Sequence, residues 1–337
     1  MKIIYVGFAF QHHKGTHGGY HHLAKYGHYD EIIDCQKFFD SNSCSIRNIF
    51  VRIKRRIVRR LFGFNNIPWY ILRMYWLALA NPYSVFHIIY GENLYSPLMR
   101  HLPRGCKLVC TFHQPFSWFD NKRWRCYLRQ IDSIILVGKT EVNKFKEATG
   151  KDNVVYIPHG VFTDFYHPND SIKKEILLLT VGNWLRDYQF ADKVYAQFLD
   201  RHPDWRVVVV AKPENTQYIH KDARISCLSG ISDEELKSLY QKSTILFLPL
   251  IRYTANNSLL ESAACGCNIL IASDNADNSY IPEELLNIVP MNLEAVMGKL
   301  EQMKDSPTYN LSISKFIDEH YSWEVVGKTV QKFLSQL

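Results

Sequence analysis

The chain has 337 residues, enough for two domains of ordinary size, and its 47% hydrophobic and 22% charged residues exclude disorder, collagen and coiled coil as the main state. Lys and Arg total 40 against 33 Asp and Glu, a net charge of +7. The excess is local: Ser41 to Gly91 holds no acidic residue but carries Arg47, Arg52, Lys54, Arg55, Arg56, Arg59, Arg60 and Arg73, a surface for anionic lipid, nucleic acid or an acidic substrate.

The chain opens on an apolar strand followed by His-rich polar residues, without the basic start and cleavage site of a signal peptide. Short apolar runs at residues 2–9, 85–90, 106–112, 133–137 and 154–157 read as strands buried on both faces. Helical periodicity lies between them at residues 19–26, 123–129 and 139–148. Ile46 to Phe62 places Ile46, Ile49, Phe50, Ile53, Ile57 and Leu61 on one helical face and basic residues on much of the rest. Two readings stand for it: a core-packed helix with a solvated basic face, or a helix whose Arg52, Arg55, Arg56, Arg59 and Arg60 dock on anionic lipid. The run from Ile67 to Ala80 is broken by Arg73 and is too short to span a membrane. The eight Cys show no paired C-x-x-C spacing and read as reduced thiols, which points to the cytoplasm.

The second half repeats the alternation. Strands are expected at residues 176–181, 206–211, 225–228, 244–248 and 268–271, and helices at 189–199, 233–241, 258–264 and 293–303. Such alternation requires crossover connections, hence two α/β domains with doubly wound parallel sheets. Pro158, Gly160 and Pro168 interrupt the pattern and suggest a join near residues 160–171. The expected division is an N-terminal domain over 1–165, a second domain over 166–318 and a terminal helix over 319–337 with Ser322 as its N-cap.

Four constellations have chemical content. Gly18 and Gly19 open the helix after the first strand, where free N–H groups suit a phosphate, although a plain turn has the same form. His12, His13, His17, His21 and His22 surround them, but no carboxylate or Cys stands at ligand spacing, so no metal is expected. Thr111-Phe112-His113 ends a buried strand and aims an imidazole at a crevice, as a sugar contact or as a structural His. In Val181-Gly182-Asn183-Trp184-Leu185-Arg186, Gly182 permits close approach, and Arg186 offers a fork for phosphate oxygens or a surface pair with Asp187. Lys212 ends the next strand and can add a second charge. Finally, Asn256-Asn257-Ser258 opens a short helix with Glu261 one turn in, which suits a diphosphate and a ribose diol; Ser258-x-x-Glu261 also matches a capping box.

Taken in order along the chain, these motifs resemble glycosyltransferase family 4. They are joined by Ile157-Pro158-His159-Gly160-Val161, Ser232-Asp233-Glu234-Glu235-Leu236 with Tyr240, and Tyr321-Ser322-Trp323-Glu324. The resemblance implies the GT-B fold, two Rossmann-like domains facing across a cleft, and retaining transfer from a UDP- or GDP-linked sugar without a metal or other cofactor. It implies that Gly18 and Gly19 face the donor, that His113 lies near the reacting sugar, and that Arg186 binds phosphate, with Asn183 where the family's Arg usually stands. It further implies that Glu261 binds ribose and that Leu228, Gly230 and Ile231 flank the base. That the second domain binds the nucleotide sugar, and that the terminal helix packs back toward the first domain, is also what the resemblance implies. The first Glu of the family's Glu-x7-Glu motif is replaced by Tyr253. The expected acceptor is a saccharide or lipid-linked saccharide of surface polysaccharide or glycolipid assembly, reached by an enzyme peripheral to the inner face of the membrane. The rivals are another GT-B enzyme such as a sugar-nucleotide epimerase, a non-catalytic sugar-nucleotide-binding subunit, and a nucleic-acid binder. The last has no base-reading motif behind it, so no nucleic-acid partner is expected.

Overall fold

Strands that are apolar at every position must be covered on both faces, and parallel sheets flanked by helices provide that cover. The computed structural model describes residues 1–37, 68–252, 256–274 and 281–337. The Ile46–Phe62 segment, with Arg52, Arg55, Arg56, Arg59 and Arg60, lies outside the described residues, as does Tyr253. The chain forms two compact units: Met1–Lys14, Gly19–Ile157 and Gly327–Leu337 make one, and Gly15–Gly18 with Pro158–Val326 make the other.

The first unit holds a six-stranded sheet of β1 (Ile3–Gly7), β2 (Glu31–Asp34), β3 (Val85–Ile88), β4 (Lys107–Phe112), β5 (Ser133–Leu136) and β6 (Val154–Tyr156). Its order is β2-β1-β3-β4-β5-β6, with every pairing parallel. β1, β3 and β5 are buried throughout, whereas the edge strand β2 buries only Ile33. That half-exposed edge explains why no apolar run announces β2. The order reverses between β1 and β3, where the loops diverge and leave a crevice at the carboxyl ends. The apolar run before Ala80 is a helix, Trp69–Ala80, with Tyr70, Ile71, Met74, Leu77 and Ala78 buried.

The second unit holds β7 (Glu175–Val181), β8 (Arg206–Val210), β9 (Ile225–Leu228), β10 (Ser243–Pro249), β11 (Asn268–Ala272) and β12 (Asn287–Val289) in the order β12-β11-β10-β7-β8-β9, again all parallel. Alternate residues feed two cores, as the pleat requires. Leu246 and Leu248 join Leu259, Leu260, Ile313 and Ile317 on one side, and Ile245 and Phe247 join Val194, Phe198 and Leu300 on the other. Here the order reverses between β7 and β10. The helix Asp233–Lys242 begins with a full capping box, in which Ser232 accepts from the Glu235 N–H and the Glu235 carboxylate accepts from the Ser232 N–H.

The motif around Gly160 and the one around Trp323 meet in this unit. Val161 N–H donates to Tyr321 O at 2.8 Å, and Trp323 N–H donates to Val161 O at 3.2 Å. A Cβ at Gly160 would sit 2.4 Å from the Trp323 indole, so this position takes glycine for close packing. In the first unit, Gly327 likewise puts its bare Cα against the Tyr26 backbone, where a Cβ would come within 2.4 Å of the carbonyl oxygen.

Candidate functional site

The loops leaving β7 and β10, the strands at the reversal point of the second sheet, hold the densest cluster of expected site residues. Gly182 has φ of 120°, a conformation that favours glycine. A Cβ there would lie 2.6 Å from Arg186 Nη2, so the missing side chain makes room for the guanidinium. Arg186 Nη2 donates to Asn256 Oδ1 at 3.0 Å and to Ser258 Oγ at 3.2 Å, and Nη1 donates to Trp184 O at 2.6 Å. The surface pair with Asp187 is not formed, because Asp187 instead caps the helix Tyr188–Arg201 through the Phe190 N–H. The loop is pinned by an antiparallel bridge between Arg186 and Leu250, and Leu185 holds a positive φ of 56°. This over-determined backbone fixes a cation beside the start of the helix Asn257–Ala264. A cation at a helix N-terminus opposes the macrodipole, so the pair of positive ends is electrostatically poised for an anion.

The same helix corrects the expectation of a Ser258–Glu261 capping box. Its cap is Asn256, whose side chain accepts from Leu259 N–H, and Glu261 stands mid-helix, out of reach of any capping role. Glu261 is 8% exposed and its carboxylate accepts one hydrogen bond, from the Tyr240 hydroxyl at 3.2 Å. Burial pushes its pKa up to about 8, opposed by the Tyr240 bond and reinforced by Asp233. Glu261 lines a small cleft with His17, Gly18, His159, Gly160, Val161, Asn257 and Leu260. A buried carboxylate with one donor, at a cleft wall, has capacity left for the hydroxyls of a ligand.

His17, singled out in sequence only as one of five histidines, helps shape that cleft. Its Nδ1 lies 2.7 Å from Asp233 Oδ2 and its ring stacks on Phe165 at 3.7 Å between centroids. Gly18 N–H donates to Thr16 Oγ1. Asn183 Oδ1 accepts from Lys212 N–H at 2.6 Å, and the Asn183 carbonyl accepts from Asn215 Nδ2, which ties the loop after β7 to the turn after β8. Leu228 ends β9, and Gly230, with φ of 68°, and Ile231 lead into the Ser232 cap. Arg186, Asn256, Asn257, Ser258 and Glu261 thus converge on one helix, while Asn183 and Lys212 meet each other between the ends of β7 and β8.

In the first unit, Gly19, with φ of 99°, precedes the short turn Tyr20–His22, and a Cβ there would crowd His21 and His13. His113 follows β4 and is packed between aromatic rings, 4.7 Å from Tyr90 and 4.8 Å from Tyr20. Sequence reading missed its neighbour Glu92, which follows β3 at the sheet's reversal point. Glu92 Oε1 lies 3.3 Å from both the His113 N–H and Nδ1, with Oε2 buried and without a hydrogen-bond partner. The signal available for Glu92 was its place just past a buried strand. In the role proposed below, His113→Ala should cut transfer at least about tenfold and leave nucleoside diphosphate affinity unchanged, read by turnover and titration calorimetry. Loss of nucleotide binding would assign His113 elsewhere.

Residues 20–165 match the model for Glycosyltransferase Family 4. This region is similar to glycosyltransferase family 4. It carries His113, Glu92 and the whole Ile157–Val161 motif. Solved structures extend the likeness in fold to the whole chain. A sucrose-phosphate synthase from Thermosynechococcus elongatus shares 12% identity with a TM-score of 0.68, over 100% of this chain and 99% of the other. The lipopolysaccharide outer core galactosyltransferase WaaB shares 13% with a TM-score of 0.65, over 100% of both chains. S. aureus TarM, solved with UDP, shares 9% with a TM-score of 0.60, over 74% of this chain and 55% of its own. The fold is therefore GT-B. No curated protein sequence matches the chain. Among the described residues, no cluster of three or more His, Cys, Asp or Glu is arranged to hold a metal, and no helix is long and apolar enough to cross a membrane.

Proposed function

We propose that this chain is a retaining family 4 glycosyltransferase that moves a sugar from a UDP- or GDP-linked donor to a saccharide or lipid-linked saccharide at an anionic membrane surface. The observation that carries this reading is Glu261: a buried, under-used carboxylate in mid-helix, one turn from an N-terminus already flanked by Arg186. That spacing suits a nucleoside diphosphate, with ribose hydroxyls on Glu261 and phosphate oxygens on Arg186 and the N–H groups near Ser258. UDP in the TarM complex is a neighbour's ligand consistent with it.

Breaking the glycosidic bond places new negative charge on the departing diphosphate. Arg186 and the helix N-terminus are already oriented for that charge, so they lower the barrier without reorganising. His113, gripped by Glu92 and two tyrosines, is suited to orient the reacting sugar or the acceptor hydroxyl. A front-face course, in which the leaving phosphate takes the acceptor proton, completes this reading.

The deciding experiment incubates the protein with a panel of nucleotide sugars and reads nucleoside diphosphate release with and without lipid-linked acceptor. Binding of a nucleotide sugar without turnover on any acceptor would favour a non-catalytic subunit. Epimerised sugar would favour an epimerase. Activity should survive EDTA, because protein groups supply the positive charge and the sequence has no Asp-x-Asp to hold a divalent ion. Complete loss with EDTA, restored by magnesium or manganese, would contradict this account.

A further inference from the structure

The helix Trp69–Ala80 is apolar on both of its faces, and only one of them is in the core. A helix at a protein surface ordinarily turns charged and polar residues outward. Here the outward stripe is Trp69, Leu72, Trp76 and Leu79, spaced three, four and three residues apart and 44%, 58%, 57% and 75% exposed. Tyr83, 72% exposed just past the helix, and Ile32, 54% exposed on β2, add to the exposed apolar surface. Ile32, Trp69 and Arg73 line one hollow together with Asp34 and Lys37. Arg73 is the helix's one charged residue; its guanidinium lies over the Trp76 ring at 4.7 Å and within 3.7 Å of Glu31. A contiguous exposed stripe of side chains this large marks an interaction surface.

We propose that this stripe docks on an anionic bilayer, with Trp69, Trp76 and Tyr83 at the headgroup level and Leu72 and Leu79 reaching the acyl chains. Trp and Tyr join an apolar body to a polar edge, which suits that boundary. Arg73 can keep its charge at the headgroups while its stem lies along the apolar face. The charge of the surrounding sequence fits the same partner: residues 41–91 carry eight cations and no carboxylate, the complement of anionic headgroups. Twelve residues make a helix of about 18 Å, too short to cross a bilayer and suited to lie along it. This goes beyond the function proposed above by assigning the membrane contact to a described helix, and it stands whether or not that function does.

The test uses the full chain and phosphatidylcholine vesicles with or without phosphatidylglycerol, in the absence of any sugar. The wild-type protein should sediment with the phosphatidylglycerol vesicles, and brominated lipid should quench its tryptophan emission. Leu72→Gln, Trp76→Gln and Leu79→Gln together should lower the partition coefficient at least about tenfold and leave the melting temperature unchanged. Failure of the wild-type protein to sediment would overturn the proposal, as would equal sedimentation of the triple variant, which would leave binding to basic residues alone. A sharply lowered melting temperature would mean that protein, not lipid, covers the stripe. Because the assay needs no donor, a protein inactive on every nucleotide sugar would still give a clear answer.

Discussion

Glu261→Ala is expected to weaken nucleoside diphosphate binding at least about a hundredfold. A carboxylate that accepts two ribose hydroxyls contributes about 1.5–3 kcal/mol for each charge-assisted bond, and Ala offers neither. Stability should respond differently, and with a sign that depends on pH. Burial raises the folded-state pKa of Glu261 to about 8, above its unfolded value, so the neutral carboxyl is the form the fold prefers. Its contribution to stability is full below the unfolded pKa and is lost as pH rises toward 8, at up to about 1.4 kcal/mol per pH unit. The melting temperature of wild type relative to Glu261→Gln should therefore fall between pH 5 and pH 8.5 in nucleotide-free protein. Thermal melts across that range, with nucleotide titrations of both variants, check the two halves separately. Unchanged nucleotide affinity would leave Glu261 as a packing residue beside Tyr240.

Arg186→Ala should lower turnover about a hundredfold, close to 2.7 kcal/mol of transition-state stabilisation, with Arg186→Lys restoring only part of it. The guanidinium engages Asn256 and Ser258 through the same nitrogen while Nη1 holds the Trp184 carbonyl, a planar geometry that an ammonium does not reproduce. Gly182→Ala should reproduce much of the defect without touching any charge. Its Cβ would displace Arg186 from its seat, and its φ of 120° strains any L side chain. Steady-state kinetics of the three variants decide the point. Normal turnover in Arg186→Ala would exclude the residue from catalysis and direct attention to Lys212.

The sequence by itself determined the α/β class and most of the strands, because a strand buried on both faces is a continuous apolar run that needs no partner to be recognised. It also placed Gly182, Arg186, His113 and Glu261 at the carboxyl ends of strands or the first turns of helices, where parallel sheets present their ligands. Edge strands β2 and β12 escaped it, since half-exposed residues carry no such run. Only the tertiary structure separated the two roles open to Glu261, by giving the cap to Asn256 and a true capping box to Ser232 and Glu235 instead. Capping depends on where the helix begins, and an offset of two residues, from Ser258 to Asn256, removes Glu261 from reach of the end. Glu92 beside His113, and His17 against Asp233, are contacts between residues 21 and 216 positions apart, which no local pattern encodes. The outward stripe of Trp69–Ala80 followed the same rule: its composition was in plain view, but which face met the core was settled by the packing of the sheet beneath it.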